Sequence, residues 1–264
     1  MTVGKFDARA IAINSLLCVG LDTDPARIPA EFRSDPYPQF AFNKHIIDLT
    51  MPFAAAYKPN IAFYEGQGEN GMRALRMTVD YLREVCPDAL TICDAKRGDI
   101  STTNDGYVRA IFDVLGFDAV TLNPYLGGEA LKPFLDRADK TCFILCRTSN
   151  PGSGELQSLR VEGKPFWQIV AEKVRDRWNV NNNCMLVMGA TYPDELRDVR
   201  SLVGDMTLLV PGIGTQGGSV EQTVQLGRAQ NGRGLIINAS RGIMYADDPA
   251  SAALQLRDAI NACR

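Results

Sequence analysis

The run Thr91-Ile92-Cys93-Asp94-Ala95-Lys96-Arg97-Gly98-Asp99-Ile100 sets acids and bases directly behind an apolar, partly β-branched stretch, Ala89 to Cys93. Side chains alternate faces along a strand, so Asp94 and Lys96, two apart, point the same way at its C-terminal end. Opposite charges at the inner mouth of a sheet are costly unless they are paired or working. Lys58 closes another apolar run, Phe53 to Tyr57, and sits beside Asp94 if the two strands are neighbours. A desolvated alternation of Lys58, Asp94, Lys96 and Asp99 can hold one carboxylate ionised next to a substrate anion while a lysine stays protonated and ready to deliver a proton. The same four residues could instead be an ion-pair network that only closes the end of a fold. Lys58 or Lys96 could also be a Schiff-base nucleophile, but that chemistry needs a depressed pKa and carboxylates on either side raise it.

Two later stretches suggest an anion. Pro211-Gly212-Ile213-Gly214-Thr215-Gln216-Gly217-Gly218 and Ser240-Arg241-Gly242 each follow an apolar run. Backbone N–H groups of a glycine-rich turn with an arginine beside them make a phosphate clamp, and in barrels the last two strands commonly provide it. Either loop alone could be a tight turn or a solvated charge. Asp22, after the first run, could cap the following helix with Asp24 or bind a sugar hydroxyl. Ser149 lies in a Gly-, Ser- and Asn-rich loop, with Gln157 beyond, long enough for a lid but readable as an ordinary connection.

These residues need elements to hold them. Eight short apolar runs end at Gly, Pro or polar clusters: Leu16 to Leu21, Phe53 to Tyr57, Ala89 to Cys93, Ala119 to Leu122, Cys142 to Cys146, Met185 to Met188, Thr207 to Val210 and Gly234 to Ile237. Segments with helical spacing separate them, among them Tyr37 to Thr50, Gly71 to Cys86 and Phe166 to Trp178. An eightfold strand–helix rhythm in 264 residues predicts an α/β fold, a (β/α)₈ TIM barrel forming a single domain over residues 1–264, with an extra N-terminal helix over roughly Phe6 to Asn14. The active site of such a barrel lies at the C-terminal ends of its strands, where all the polar residues above fall.

A net charge of −3, a pI near 5.3 and no basic tract argue against a nucleic-acid or membrane partner. No run approaches a membrane span, and the start has no basic region followed by an apolar one, so a soluble, unprocessed protein is expected. Seven cysteines, mostly inside apolar runs, read as reduced thiols of a cytoplasmic protein. Cys142 and Cys146 are about 13 Å apart by strand rise, too far for a disulfide. A single histidine, His45, excludes a multi-histidine metal centre.

With these residues in place, nearly the whole chain resembles the orotidine 5′-phosphate decarboxylase family, in the branch whose third strand reads Asp-Ala-Lys-Arg-Gly-Asp-Ile. The resemblance rests on Phe42-Asn43-Lys44, Lys58-Pro59-Asn60, Asp94 to Ile100 with Thr103, Thr148 to Ser153, Pro211 to Gly218 and Ser240-Arg241-Gly242. Ser101 departs from the pattern, which has glycine there. The resemblance implies cofactor-independent decarboxylation of orotidine 5′-phosphate to uridine 5′-phosphate, the last step of de novo UMP synthesis, with no metal. It implies that Asp22 and Lys58 hold ribose hydroxyls, Asp94 lies against the departing carboxylate, and Lys96 protonates the ring carbon. Ser149 would contact the pyrimidine, and Gln216 and Arg241 the phosphate. Asp99, Ile100 and Thr103 would reach into a partner's site, making a homodimer with shared active sites. The alternatives are a metal-dependent phosphosugar lyase or synthase of similar build, and a nucleotide-binding barrel without catalysis.

Overall fold

Eight parallel strands hydrogen-bond edge to edge and the last pairs with the first, so the sheet has no free edge. They are β1 (Leu17–Gly20), β2 (Ala56–Lys58), β3 (Leu90–Arg97), β4 (Ala119–Leu122), β5 (Thr141–Arg147), β6 (Cys184–Met188), β7 (Leu208–Pro211) and β8 (Leu235–Ala239). In this computed structural model residues 2–213 and 218–264 are described. Each strand overlaps one of the eight apolar runs, because strands covered on both faces must be apolar nearly throughout.

Helix α1 (Thr2–Ala12) precedes the barrel. It is followed by α2 (Pro38–Thr50), α3 (Gly68–Val85), α4 (Ser101–Val108), α5 (Gly127–Leu135), α6 (Phe166–Lys173), α7 (Pro193–Val203), α8 (Val220–Gly227) and α9 (Pro249–Ala262), one after each strand. Helices α4 and α6 run on as π-helical turns, Arg109–Val114 and Val174–Trp178. The expected extra helix is therefore present, starting and ending a little earlier than Phe6 to Asn14. It closes the N-terminal end of the barrel: Phe6 and Ala10 are buried, and Arg9 donates to the carbonyls of Ala54 (2.8 Å) and Met51 (2.6 Å) and to Asp88 (2.6 Å). The buried residues form a larger cluster including Leu16, Cys18, Ile92 and Ile236, and a second one including Leu17, Val19, Tyr57 and Ala239.

Two features were not read from the sequence. The fifth loop contains a small hairpin, Arg160–Val161 against Lys164–Pro165. Strand β3 does not stop at Cys93 but continues to Arg97 through an irregularity: Cys93 aligns with Val120 and Arg97 with Leu122, so four steps of β3 match two of β4. All seven cysteines are free and six are buried.

Candidate active site

Strand ends β2 and β3 bring the charges together. Lys58, 3% exposed, places its Nζ 2.8 Å from Asp94 Oδ2 and 3.9 Å from Asp22. Lys96 Nζ lies 2.6 Å from Asp94 Oδ1. The result is an unbroken line of alternating sign, Asp22, Lys58, Asp94, Lys96. Burial alone would raise the Asp94 pKa, but the charges and hydrogen bonds of Lys58 and Lys96 outweigh it and hold the carboxyl well below the ordinary range. Burial likewise pulls Lys58 down, and Asp22 and Asp94 more than reverse it, so its pKa stands above that of a free lysine. A lysine held charged in this way is a poor Schiff-base nucleophile.

Backbone contacts fix the line. Asn60 pairs with Asp94, whose N–H donates to the Pro59 carbonyl (3.0 Å), tying the Lys58-Pro59-Asn60 turn to β3. Asp22 accepts from the Asn60 N–H (3.1 Å), whereas Asp24 accepts from Ala26 N–H (3.0 Å) and caps the short helix at Pro25–Arg27. Asp24 is therefore the cap, and Asp22, which caps no helix here, lines the cavity along with it. In the third loop Gly98 is required, since a Cβ there would lie 2.5 Å from the Asn123 carbonyl oxygen.

These groups line a cavity of about 630 Å³ at the C-terminal mouth. Leu145, Val187, Leu209 and Ile213 supply apolar walls, and Ser149 and Arg241 line it as well. The Ser149 turn packs so close to the end of β6 that a Cβ on Gly189 would lie 2.8 Å from the Ser149 nitrogen. Its loop is anchored by Arg147, 3% exposed, which donates to Glu195 (2.5 Å), Ser153 (2.8 Å) and Gln157 (3.4 Å) and stacks on Tyr192. Gln157 also accepts from the Thr148 N–H (2.9 Å), so the loop is a bonded structure and not a slack connection.

Of the residues named from the sequence, Asp22, Lys58, Asp94, Lys96, Ser149 and Arg241 meet in this cavity. Asp99, Ile100 and Thr103 do not line it. The Asp99 carboxylate accepts from the Ile100 N–H (2.7 Å), while its own N–H and carbonyl are held by the buried Asn104 (3.0 and 2.5 Å). Gln216 falls outside the described residues. The sequence reading passed over Arg27, Tyr245 and Thr121, all at the cavity wall. Arg27 lies 4.2 Å over the Tyr245 ring, whose hydroxyl accepts from the Asp24 N–H (3.2 Å). Thr121 sat inside an apolar run; a strict alternation test from Ala119 would have turned it inward.

The chain matches known proteins over nearly its whole length. The family model "Orotidine 5'-phosphate decarboxylase / HUMPS family" covers residues 15–256. An orotidine 5′-phosphate decarboxylase of Janthinobacterium sp. (strain Marseille) is 48% identical over 253 residues, 93% of this chain and 92% of that protein. One from Roseiflexus castenholzii is 48% identical over 266 residues, 98% and 96% of the two chains. The solved Leishmania donovani OMP decarboxylase superposes with a TM-score of 0.90 at 40% identity, covering 99% of this chain and 98% of that one. With a family model spanning most of its length and relatives at this identity, the chain belongs to the orotidine 5′-phosphate decarboxylase / HUMPS family.

Proposed function

We propose that this protein converts orotidine 5′-phosphate to uridine 5′-phosphate and carbon dioxide. The observation that carries the reading is the Lys58–Asp94–Lys96 ion chain at one wall of a partly apolar cavity, in a chain of this family. The bond from ring C6 to the carboxyl group breaks, its electron pair stays on C6, and carbon dioxide leaves. Lys96 gives C6 a proton and is recharged from solvent. A carbanion with no adjacent electron sink is stabilised by a fixed cation, which needs no reorganisation at the moment of reaction. Asp94, kept ionised by both lysines, stands where the substrate carboxylate would sit, and Asp22 and Lys58 are within reach of ribose hydroxyls. Arg241 meets the phosphate. Phosphate binding is remote from C6, so its energy serves to close loops and order the charges.

Asp99, Ile100 and Thr103 are assigned to the site of a second copy. What supports this is their absence from the lining of the chain's own cavity, together with the exposure of the apolar Ile100 (57%) and, in the next loop, of Tyr125 (75%) and Leu126 (48%). Mixing inactive Lys96→Ala and Asp99→Ala proteins tests it: shared sites predict partial recovery in mixed dimers, and no recovery, with heterodimers demonstrated, overturns it. Among the described residues no helix is long and apolar enough to cross a membrane.

The reaction itself is tested by ultraviolet absorbance of purified protein with orotidine 5′-phosphate in excess chelator. Rapid loss of the orotate chromophore is expected. Folded protein that leaves the chromophore intact overturns the reading; recovery of activity on a phosphosugar with added magnesium would then replace it.

A further inference from the structure

We infer that Thr121 is a positioning residue for this chemistry, a single hydroxyl that sets both Asp94 and Lys96. The inference rests on the decarboxylation reading for its kinetic half only. Between Cys93 and Arg97 the β3 chain has two more residues than β4 can pair, so the segment carrying Asp94, Ala95 and Lys96 arches away from the ladder. An arch leaves backbone groups without strand partners, and a buried N–H cannot stay orphaned cheaply. The part-buried Lys96 N–H is one such group. Thr121 Oγ1, opposite the arch, accepts it at 3.0 Å and donates its own hydrogen to Asp94 Oδ1 at 2.9 Å.

The direction of both bonds follows from the partners. A backbone N–H can only donate and an ionised carboxylate can only accept, so the hydroxyl proton points at Asp94. That oxygen also accepts from Lys96 Nζ, which closes a small ring: Lys96 backbone, Thr121 hydroxyl, Asp94 carboxylate, Lys96 ammonium. Lys96 pays for this with a left-handed backbone, φ 47°, a region L-residues with side chains visit only when their surroundings impose it. Thr121 is 1% exposed and β-branched, so its rotamer is stiff and the hydroxyl cannot swing away. Thr121 therefore fixes where the proton-bearing ammonium sits relative to the carboxylate, without being needed for phosphate or ribose binding.

The test uses the full-length protein with Thr121→Val, which keeps the shape and removes both bonds, and Thr121→Ser, which keeps the hydroxyl. Thr121→Val is expected to lower kcat about 10- to 100-fold, which at 1.36 kcal/mol per decade is about 1.4–2.7 kcal/mol of barrier, with KM changed less than about threefold. Thr121→Ser should restore kcat to within about threefold of wild type. Should Thr121→Val fail to fold, Thr121→Cys stands in, since a thiol is a weak donor and acceptor; Ser must exceed Cys. An activity-free readout separates this proposal from the assigned reaction: in wild type and Thr121→Ser the Lys96 amide exchanges slowly with deuterated water, and in Thr121→Val about tenfold or more faster. Equal kcat in all variants, a loss confined to KM, or unchanged amide exchange each overturn the role. A wild type inactive on orotidine 5′-phosphate but with Thr121-dependent amide protection would overturn the reaction and leave the positioning intact.

Discussion

Asp94 meets three donors with two oxygens, Lys58 on one and Lys96 and Thr121 on the other, and that crowding makes the site sensitive to single atoms. Lys96→Ala should abolish turnover while leaving the unfolding midpoint close to wild type, because Lys96 is half-exposed and its ion pair adds little stability. Near-normal turnover in that variant would remove it as the proton donor. The network also sets a pH window. The folded pKa of Asp94 lies below its ordinary value of 3.8, so its stabilisation is present above that pH and is lost as pH falls through the folded value. Lys58 has the opposite sign: its folded pKa lies above 10.5, so its contribution holds below 10.5 and fades as pH rises through the folded value. Denaturant titrations of wild type and Asp94→Asn should differ by a constant amount between about pH 5 and 9, with the gap narrowing below about pH 4. Ser101 is a third case. It occupies φ 47°, a backbone that suits the glycine expected there from the resemblance. Ser101→Gly should be neutral or stabilising by up to about 1 kcal/mol in thermal unfolding, the relief of a left-handed side chain set against the greater freedom of glycine when unfolded.

At the scale of elements, the eight apolar runs were legible because a doubly covered parallel strand has only one kind of sequence. Its irregularities were not. The β3 arch is invisible in Asp94-Ala95-Lys96, since pairing register is a relation between two strands and Thr121 reads as one more β-branched residue in its own. The Arg147 anchor is equally hidden, as its partner Glu195 comes from the first turn of α7, far along the chain. That anchor joins the loop carrying Ser149 to a helix that takes no part in the chemistry. Arg147→Met should cost roughly 2–3 kcal/mol of stability, below the full cost of breaking a buried pair because Glu195 is a quarter exposed, and should raise KM more than it lowers kcat. A kcat loss with KM unchanged would show that the loop matters to the charges and not to holding substrate.

For the whole molecule, the charges legible in sequence divide between two places: Lys58, Asp94 and Lys96 gather in the cavity, while Asp99, like Ile100, is not among the residues that line it. No single-chain reasoning about neighbouring strands could separate them, because the division depends on how the third loop leaves the barrel. Under the shared-site reading, Ile100→Asp should give a slower-sedimenting species whose activity falls with its dimer content. Thiol chemistry offers a last consequence. Six cysteines are sealed in the core, where burial raises the thiol pKa, with Cys18 and Cys184 pushed up to about 12. Cys263 is the partly accessible one, and its neighbours Asn261 and Arg264 bond to Asn14, ahead of β1 and so at the opposite end of the barrel from the mouth. The native protein should accept about one equivalent of maleimide and the denatured protein all seven. A fluorophore or surface tether can thus be attached at one natural point, leaving the mouth free for single-molecule observation without engineering the chain.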